Sequence, residues 1–480
     1  MMDWDFVIRP RLQVLAKEEI EYLYGRALFV LENIGVRFFH REALNLLRDA
    51  GAYVDGDSRV HIRPGLVEAA IQSVPKHLVV YDREGRPAME LGGGNTGGMN
   101  TYYGTGSDLR YTNDAEQEGL RLTIAEDVAN MARVVDYLPN MDFVMSYGIP
   151  SDCSLEQVFQ TEFLQMVQNT TKPIVFTSDN GPVCRQIIDM AGLVVGGTDR
   201  LREKPFILGY SQPTSPLQHS EDAFGKVFAC AESGIPVVYP PGMIPGATAP
   251  TTIAGAIVQS LAESFSALTA HQLKAKGAPI VLCGAHGCMD MKTSINVYAA
   301  PERLMTQSVL ASVYQSFGIP TWGFSGSTDA LNLDEQAGME FGMMGMWAAL
   351  CGINLAHDVG YLASGMAGDL RAIVFNDEVN SYVRHMLSRG LPVDTETLAI
   401  DVLERVGPGG NFLTDQHTFD HFRKDLWRPN FLNRKSISTL TDKGEEKALK
   451  DKLGEKVNEI LKTHQPISLD SAIVTELQNI

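Results

Sequence analysis

The chain has 480 residues, 44% of them apolar, and a formal charge of −18. That length supplies a large core, and the acidic balance argues against a nucleic-acid partner, whose affinity would come mainly from Lys and Arg neutralising phosphates. No stretch approaches ~18 uninterrupted apolar residues, and the start Met1-Met2-Asp3-Trp4-Asp5 lacks the basic and then apolar run of a signal peptide, so a cytoplasmic protein with no membrane partner is expected.

Six scattered cysteines do not form a disulfide framework and suit a reducing compartment. Residues 1–95 predict a mixed α+β cap. Apolar positions recur at helical spacing from Leu15 to Leu31, a short helix follows over 42–50, and Leu78-Val79-Val80-Tyr81 reads as a strand. Gly92-Gly93-Gly94-Asn95 is a join.

Over 96–390 one unit repeats. A proline entry leads into a short apolar run and a Gly/Ser/Pro-rich exit, as at Lys172-Pro173-Ile174-Val175-Phe176, Lys204-Pro205-Phe206-Ile207-Leu208, Ile235-Pro236-Val237-Val238-Tyr239, Ala278-Pro279-Ile280-Val281-Leu282 and Ile319-Pro320-Thr321-Trp322. With less regular runs near 101, 142 and 354, eight strands emerge at intervals of roughly 31–43 residues, the length of a strand plus a crossover helix. Helical stretches fill the gaps at 125–137, 155–169, 183–195, 221–233, 253–274, 301–317 and 334–351. Thr251 or Thr252 can cap the fifth of them. A (β/α)8 TIM barrel is the expected fold, with a doubly wound open sheet as runner-up. Residues 369–389 supply the last helix, and 391–480 form a helical C-terminal cover in which 442–462 is charged enough to read as solvated.

In such a barrel the site gathers at the C-terminal ends of the strands. Those exits are mainly aromatic and carry no lysine. The candidate substrate-binding residues are Tyr102, Tyr103, Tyr147, Phe176, Tyr210, Tyr239, His286, Phe324 and His357. Rings suit a quaternary ammonium, a cation with no N–H to donate, although any one of them can equally be core. No catalytic residue is assigned. Cys283, His286 and Cys288 offer a weak alternative as zinc ligands, since their spacing matches no usual pattern. His357 and Asp358 are adjacent on a strand and point apart, so no dyad is expected.

The run Pro245-Gly246-Ala247-Thr248-Ala249-Pro250-Thr251-Thr252-Ile253-Ala254-Gly255-Ala256 resembles the trimethylamine:corrinoid methyltransferase superfamily. So do Met289-Asp290-Met291-Lys292-Thr293, Asp334-Glu335-Gln336-Ala337-Gly338, Asn376-Asp377-Glu378, Val406-Gly407-Pro408-Gly409-Gly410-Asn411-Phe412-Leu413 and His417-Thr418. The likeness spans residues 10–435. It implies a (β/α)8 barrel that demethylates an amine onto the cobalt of a corrinoid (cobalamin) held by a separate corrinoid-binding protein. With only the twenty standard residues, the sequence is most similar to the non-pyrrolysine branch, whose members act on quaternary amines such as glycine betaine. Carnitine, proline betaine and γ-butyrobetaine stay open. A homo-oligomer is expected. A zinc-assisted barrel lyase or hydrolase, and a non-catalytic betaine-binding protein, are the competing readings.

Overall fold

Eight parallel segments close on one another in the computed structural model, which describes residues 10–56, 58–92, 101–114, 119–284, 287–387, 392–437 and 447–480. They are β1 (Tyr102–Tyr103), β2 (143–144), β3 (Ile174–Phe176), β4 (Ile207–Tyr210), β5 (Val237–Tyr239), β6 (Ile280–Leu282), β7 (Trp322–Phe324) and β8 (Leu355–His357). Neighbours pair through Gly104 with Phe143, Val144 with Ile174, Ile174 with Ile207, Gly209 with Val237, Val237 with Ile280, Leu282 with Thr321, and Trp322 with Leu355. Leu355 then pairs with Tyr102, so the last strand returns to the first. This is the (β/α)8 barrel; the open sheet has no such return.

The repeated prolines have a physical reason. The carbonyls of Pro173, Pro236, Pro279 and Pro320 accept from the N–H groups of Val144, Gly209, Val237 and Leu282 at 3.0, 2.9, 3.3 and 3.0 Å. At the first residue of a strand the ring removes no needed donor, while its carbonyl still bonds the neighbouring strand.

Helices Ala125–Tyr137, Val158–Asn169, Gly181–Val195, Glu221–Ser233, Ile253–Lys274, Pro301–Ser316, Glu335–Leu350 and Leu370–Leu387 cover the barrel. Asn180, Ser220 and Asp334 cap three of them, accepting from Val183, Ala223 and Ala337 N–H at 3.0, 3.1 and 3.1 Å. Thr252 takes the N-cap position of Ile253–Lys274 without a side-chain bond, contrary to expectation. That helix is the one among the described residues long and apolar enough to cross a membrane, and 78% of its most apolar window is buried in the fold. Helices Lys17–Phe29, Arg41–Asp49 and Pro64–Ser73 pack on it from the N-terminal part of the chain. One large hydrophobic cluster runs from Ala27 to Leu477, and a small second one joins Leu304, Phe324 and Met344.

Two C-terminal features depart from the sequence reading or fall outside it. The charged stretch forms helix Leu449–Thr463, yet Leu453, Val457 and Ile460 are buried against helices Leu370–Leu387 and Ala125–Tyr137. Their spacing is that of one helical face, which a count of charges does not see. Residues 438–446 lie outside the described residues, as does most of the Gly92–Asn95 join.

Closure between β1 and β2 leaves no room at Gly104, where a Cβ would meet the Phe143 ring at 2.3 Å. Gly104→Ala should cost about 1–3 kcal/mol by overpacking. A lower urea midpoint with an unchanged slope is the expected result.

Candidate functional site at the barrel mouth

Side chains alternate along a strand between the barrel interior and the helix layer. This alternation sorts the predicted residues. Trp322, Phe324, Tyr210 and His357 turn inward together: the Trp322 ring lies 4.3 Å from His357 and 5.9 Å from Tyr210, and Phe324 lies 4.9 Å from His357. Of the nine predicted positions, Tyr210, Phe324 and His357 therefore converge.

Five others do not join them. The Tyr102 hydroxyl accepts from Glu90 N–H at 3.0 Å, on the N-terminal hairpin. Tyr103 and Tyr239 point into the helix layer, Tyr103 donating to the Gly345 carbonyl at 3.1 Å and Tyr239 bonding His219 Nδ1 at 2.8 Å. Phe176 packs beside Cys230, at the place where a Cβ on Gly209 would fall. Tyr147, at φ 67, presses its ring onto Gly368. His286 lies outside the described residues.

The mouth also holds the charges that strand exits alone did not reveal. Arg303, in the first turn of helix Pro301–Ser316, is buried with its guanidinium 3.4 Å over the Phe324 ring and 4.1 Å over the Tyr298 ring. Its Nη1 donates to the Tyr298 carbonyl at 3.2 Å, Nη2 stands 3.7 Å from Asp358 Oδ2, and Nε has no partner. A cation is disfavoured in the first turn of a helix. An arginine two residues after the N-terminal Pro301 was thus the signal in the sequence.

Asp358 meets His357 after all, Oδ1 lying 3.2 Å from Nε2. β8 ends at His357, and Asp358 takes φ 73, which turns its carboxylate back toward the ring. His357 Nδ1 faces the Gly323 carbonyl at 2.7 Å and must donate there, because a carbonyl only accepts. Burial holds this imidazole below its usual range, with Asp358 pulling the other way. Gly106 allows the close approach: a Cβ there would meet Asp358 Oδ1 at 2.4 Å and the Tyr361 hydroxyl at 2.3 Å.

Across the mouth, Asp108 has φ 69 and accepts from Ser107 Oγ at 3.0 Å. Burial pushes its carboxyl up, Asp358 adding to the effect, and burial pushes the Tyr298 hydroxyl up to about 12. Asp108 nevertheless keeps exposed surface, and Tyr210 and Tyr298 are only half-buried. Groups crowded by protein yet reached by water line a concavity. Deeper in the wall, Glu162 accepts from Thr177 Oγ1 at 3.0 Å while its Oε1 has no partner, and Lys226 donates to the Ser178 carbonyl at 3.1 Å.

For the zinc alternative, Cys283 is buried and its thiol is pushed up to about 12 by burial; Cys288 is shifted the same way. The third residue of that set, His286, lies outside the described residues. Among the described residues no three His, Cys, Asp or Glu side chains gather as a metal cluster. What the mouth can do is hold a small organic ion between rings, beside a guanidinium whose Nε has no partner and the carboxylates of Asp108 and Asp358.

Known proteins agree with that architecture. A family described as trimethylamine methyltransferase (MTTB) matches residues 2–480. The chain is 34% identical over 409 residues to the trimethylamine methyltransferase MttB of Desulfitobacterium hafniense, covering 85% of this chain and 81% of the relative. It is 27% identical over 474 residues to the glycine betaine methyltransferase of the same species, covering 98% and 96%. The monomethylamine methyltransferase MtmB of Methanosarcina barkeri shares the fold with a TM-score of 0.54 at 13% identity, over 93% of this chain and 88% of that one.

Burial holds His219 and His271 down to about 3, and His357 below its usual range. His219 and His271 stay neutral in the fold and take up protons when the chain unfolds, so stability falls as pH drops below about 6.5, by about 1.4 kcal/mol per pH unit for each of these two, and His357 adds to the loss in the same direction. Urea unfolding at pH 7.5 and 5 should show this loss, and His219→Gln should flatten the slope.

Proposed function

We propose, from the premise that the chain belongs to the trimethylamine methyltransferase (MTTB) family, that it demethylates a quaternary amine bearing a carboxylate. Glycine betaine going to dimethylglycine is the leading case, with carnitine, proline betaine and γ-butyrobetaine as variants on the same pattern. The methyl acceptor is Co(I) of a corrinoid on a separate partner protein, which supplies the nucleophile.

The observation that carries this reading is Arg303. A buried guanidinium with an unpartnered Nε, stacked on Phe324 and Tyr298, calls for an anion beside the ring-lined space. A carboxylate satisfies it. Trimethylamine carries no anionic group and in its protonated form would meet a like charge there. Close by, Tyr210, Trp322 and the carboxylates of Asp108 and Asp358, the last 3.7 Å from Arg303 Nη2, suit the ammonium through ring quadrupole and charge.

A quaternary nitrogen already bears the positive charge and departs as a neutral tertiary amine. The C–N bond breaks with its electron pair going to nitrogen, and no general acid is needed. The chain's own residues are then left to position the substrate. Arg303 fixes the carboxylate, the rings fix the ammonium, and one methyl is left toward the open end. The glycine betaine methyltransferase of Desulfitobacterium hafniense supports a quaternary substrate in this family.

The test is a panel of methylated amines incubated with a reduced corrinoid protein and followed by the cobalt spectrum. Methyl transfer from a carboxylated quaternary amine is expected; transfer from trimethylamine alone would overturn the reading. Arg303→Met should weaken binding of glycine betaine by about 2–3 kcal/mol, the worth of a hydrogen bond to a charged group, and leave tetramethylammonium binding unchanged in calorimetry. Tyr210→Leu should cost both ligands about 1–2 kcal/mol.

A further inference from the structure

Three loops meet beside Arg303, and one carboxylate ties them together. Asp329 lies in the loop that follows β7. Its Oδ1 accepts from the Tyr298 N–H at 2.7 Å and from the Ser364 hydroxyl at 2.6 Å, while its Oδ2 accepts from the Ala299 N–H at 2.9 Å. Tyr298 and Ala299 belong to the loop after β6, and Ser364 to the loop after β8. Two N–H groups and a hydroxyl arriving together suit a carboxylate, which has two oxygens and no donor. Asp329 is itself held from the helix layer. Glu340, on helix Glu335–Leu350, accepts from the Asp329 N–H at 2.9 Å and also from the Thr328 hydroxyl.

What these bonds hold is the seat of Arg303. Tyr298 gives the guanidinium both a ring, 4.1 Å away, and a carbonyl, 3.2 Å from Nη1. The Tyr298 ring in turn rests on backbone: Gly365 takes φ 77, and a Cβ there would meet the ring at 2.6 Å. Gly365 follows the Ser364 that Asp329 holds, so the peptide and the ring of Tyr298 are fixed from one point. The loops after β7 and β8 are joined further by Ser364 N–H to the Thr328 carbonyl at 3.1 Å and Ala363 N–H to the Ala330 carbonyl at 2.9 Å. The lone pairs of Asp329 are engaged by these donors and not by Arg303, whose Nε is left without a partner.

We propose that Asp329 is a positioning residue that sets the preference of the mouth for a carboxylated amine: by fixing the Tyr298–Ala299 turn, it aims the Arg303 guanidinium at the substrate's carboxylate. The inference rests on the reading of Arg303 as the anchor for that carboxylate. Asp329 is not itself a ligand of the substrate and has no part in breaking the C–N bond. Its effect is preorganisation. A loose arginine head must be ordered when the ligand arrives, which weakens binding, whereas one already seated between two rings and tied to a carbonyl meets the ligand in place. Direction matters as well, because a hydrogen bond weakens steeply once its donor is turned away from the acceptor. The ammonium is held by Tyr210, Trp322, Asp108 and Asp358, none of which bonds Asp329, so the gain falls on the carboxylate alone.

Calorimetry of the full chain with glycine betaine and with tetramethylammonium separates this role from a merely structural one. Asp329→Asn puts an amide donor against N–H groups and should weaken glycine betaine binding about tenfold, with tetramethylammonium bound as by the wild type. Ser364→Ala removes one of the three bonds and should weaken glycine betaine binding about threefold; it carries the test if the first variant does not fold. In an Arg303→Met background neither change should add a further loss, because both act through the same contact. In turnover with reduced corrinoid protein, KM for glycine betaine should rise while kcat is kept. Undiminished glycine betaine binding, an equal loss for the two ligands, a loss that adds to that of Arg303→Met, or a fall in kcat with KM unchanged would each overturn the inference and leave the Arg303 reading standing. Glycine betaine binding that Arg303→Met alone does not weaken would overturn that reading, and the inference with it.

Discussion

Closing a barrel with strands of two to four residues leaves each strand only one or two side chains that can face inward. Everything at the mouth follows from that limit. β7 contributes Trp322 and Phe324, β4 Tyr210, and β8 His357; the rest of the site must come from backbone that is no longer strand. Asp108 and Asp358 reach it through left-handed residues just past their strands, and Arg303 through the first turn of a crossover helix. The conformational strain of these turns persists where the surroundings hold them, as for Asp358, which with Tyr361 packs into the space that Gly106 leaves free.

Burying a guanidinium is costly unless it is paired, and Arg303 is paired only loosely. Two aromatic faces and one carbonyl offset part of the cost, and Asp358 stands 3.7 Å away. Such a site is held slightly short of satisfaction. The same holds for Asp108, whose carboxyl is driven toward its neutral form by its surroundings and would be stabilised as the anion by a cation in the concavity.

The fold was legible because its signal is repetitive. Eight apolar runs, five of them with proline entries, mark eight strands, and helices 125–137 and 221–233 were bounded to the residue. The site was less so. Reading strand ends without asking which face each residue takes mixed Tyr103 and Tyr239, which face helices, with Tyr210 and Phe324, which face the interior. The His357–Asp358 contact was missed because a strand rule was applied one residue beyond the strand. Arg303 and Lys226 sit on helices, where no survey of strand exits could find them. The buried stripe of Leu449–Thr463 was hidden by its charges, although Leu453, Val457 and Ile460 repeat at helical spacing.

Helix Ile253–Lys274 is apolar enough to be mistaken for a membrane segment by its composition. The three helices that pack on it, Lys17–Phe29, Arg41–Asp49 and Pro64–Ser73, lie almost two hundred residues earlier in the chain. During synthesis, which runs from the N-terminus, those helices have already left the ribosome when the apolar one emerges. The cover for this apolar helix is therefore made before the helix itself, so that it meets its packing partners as it emerges.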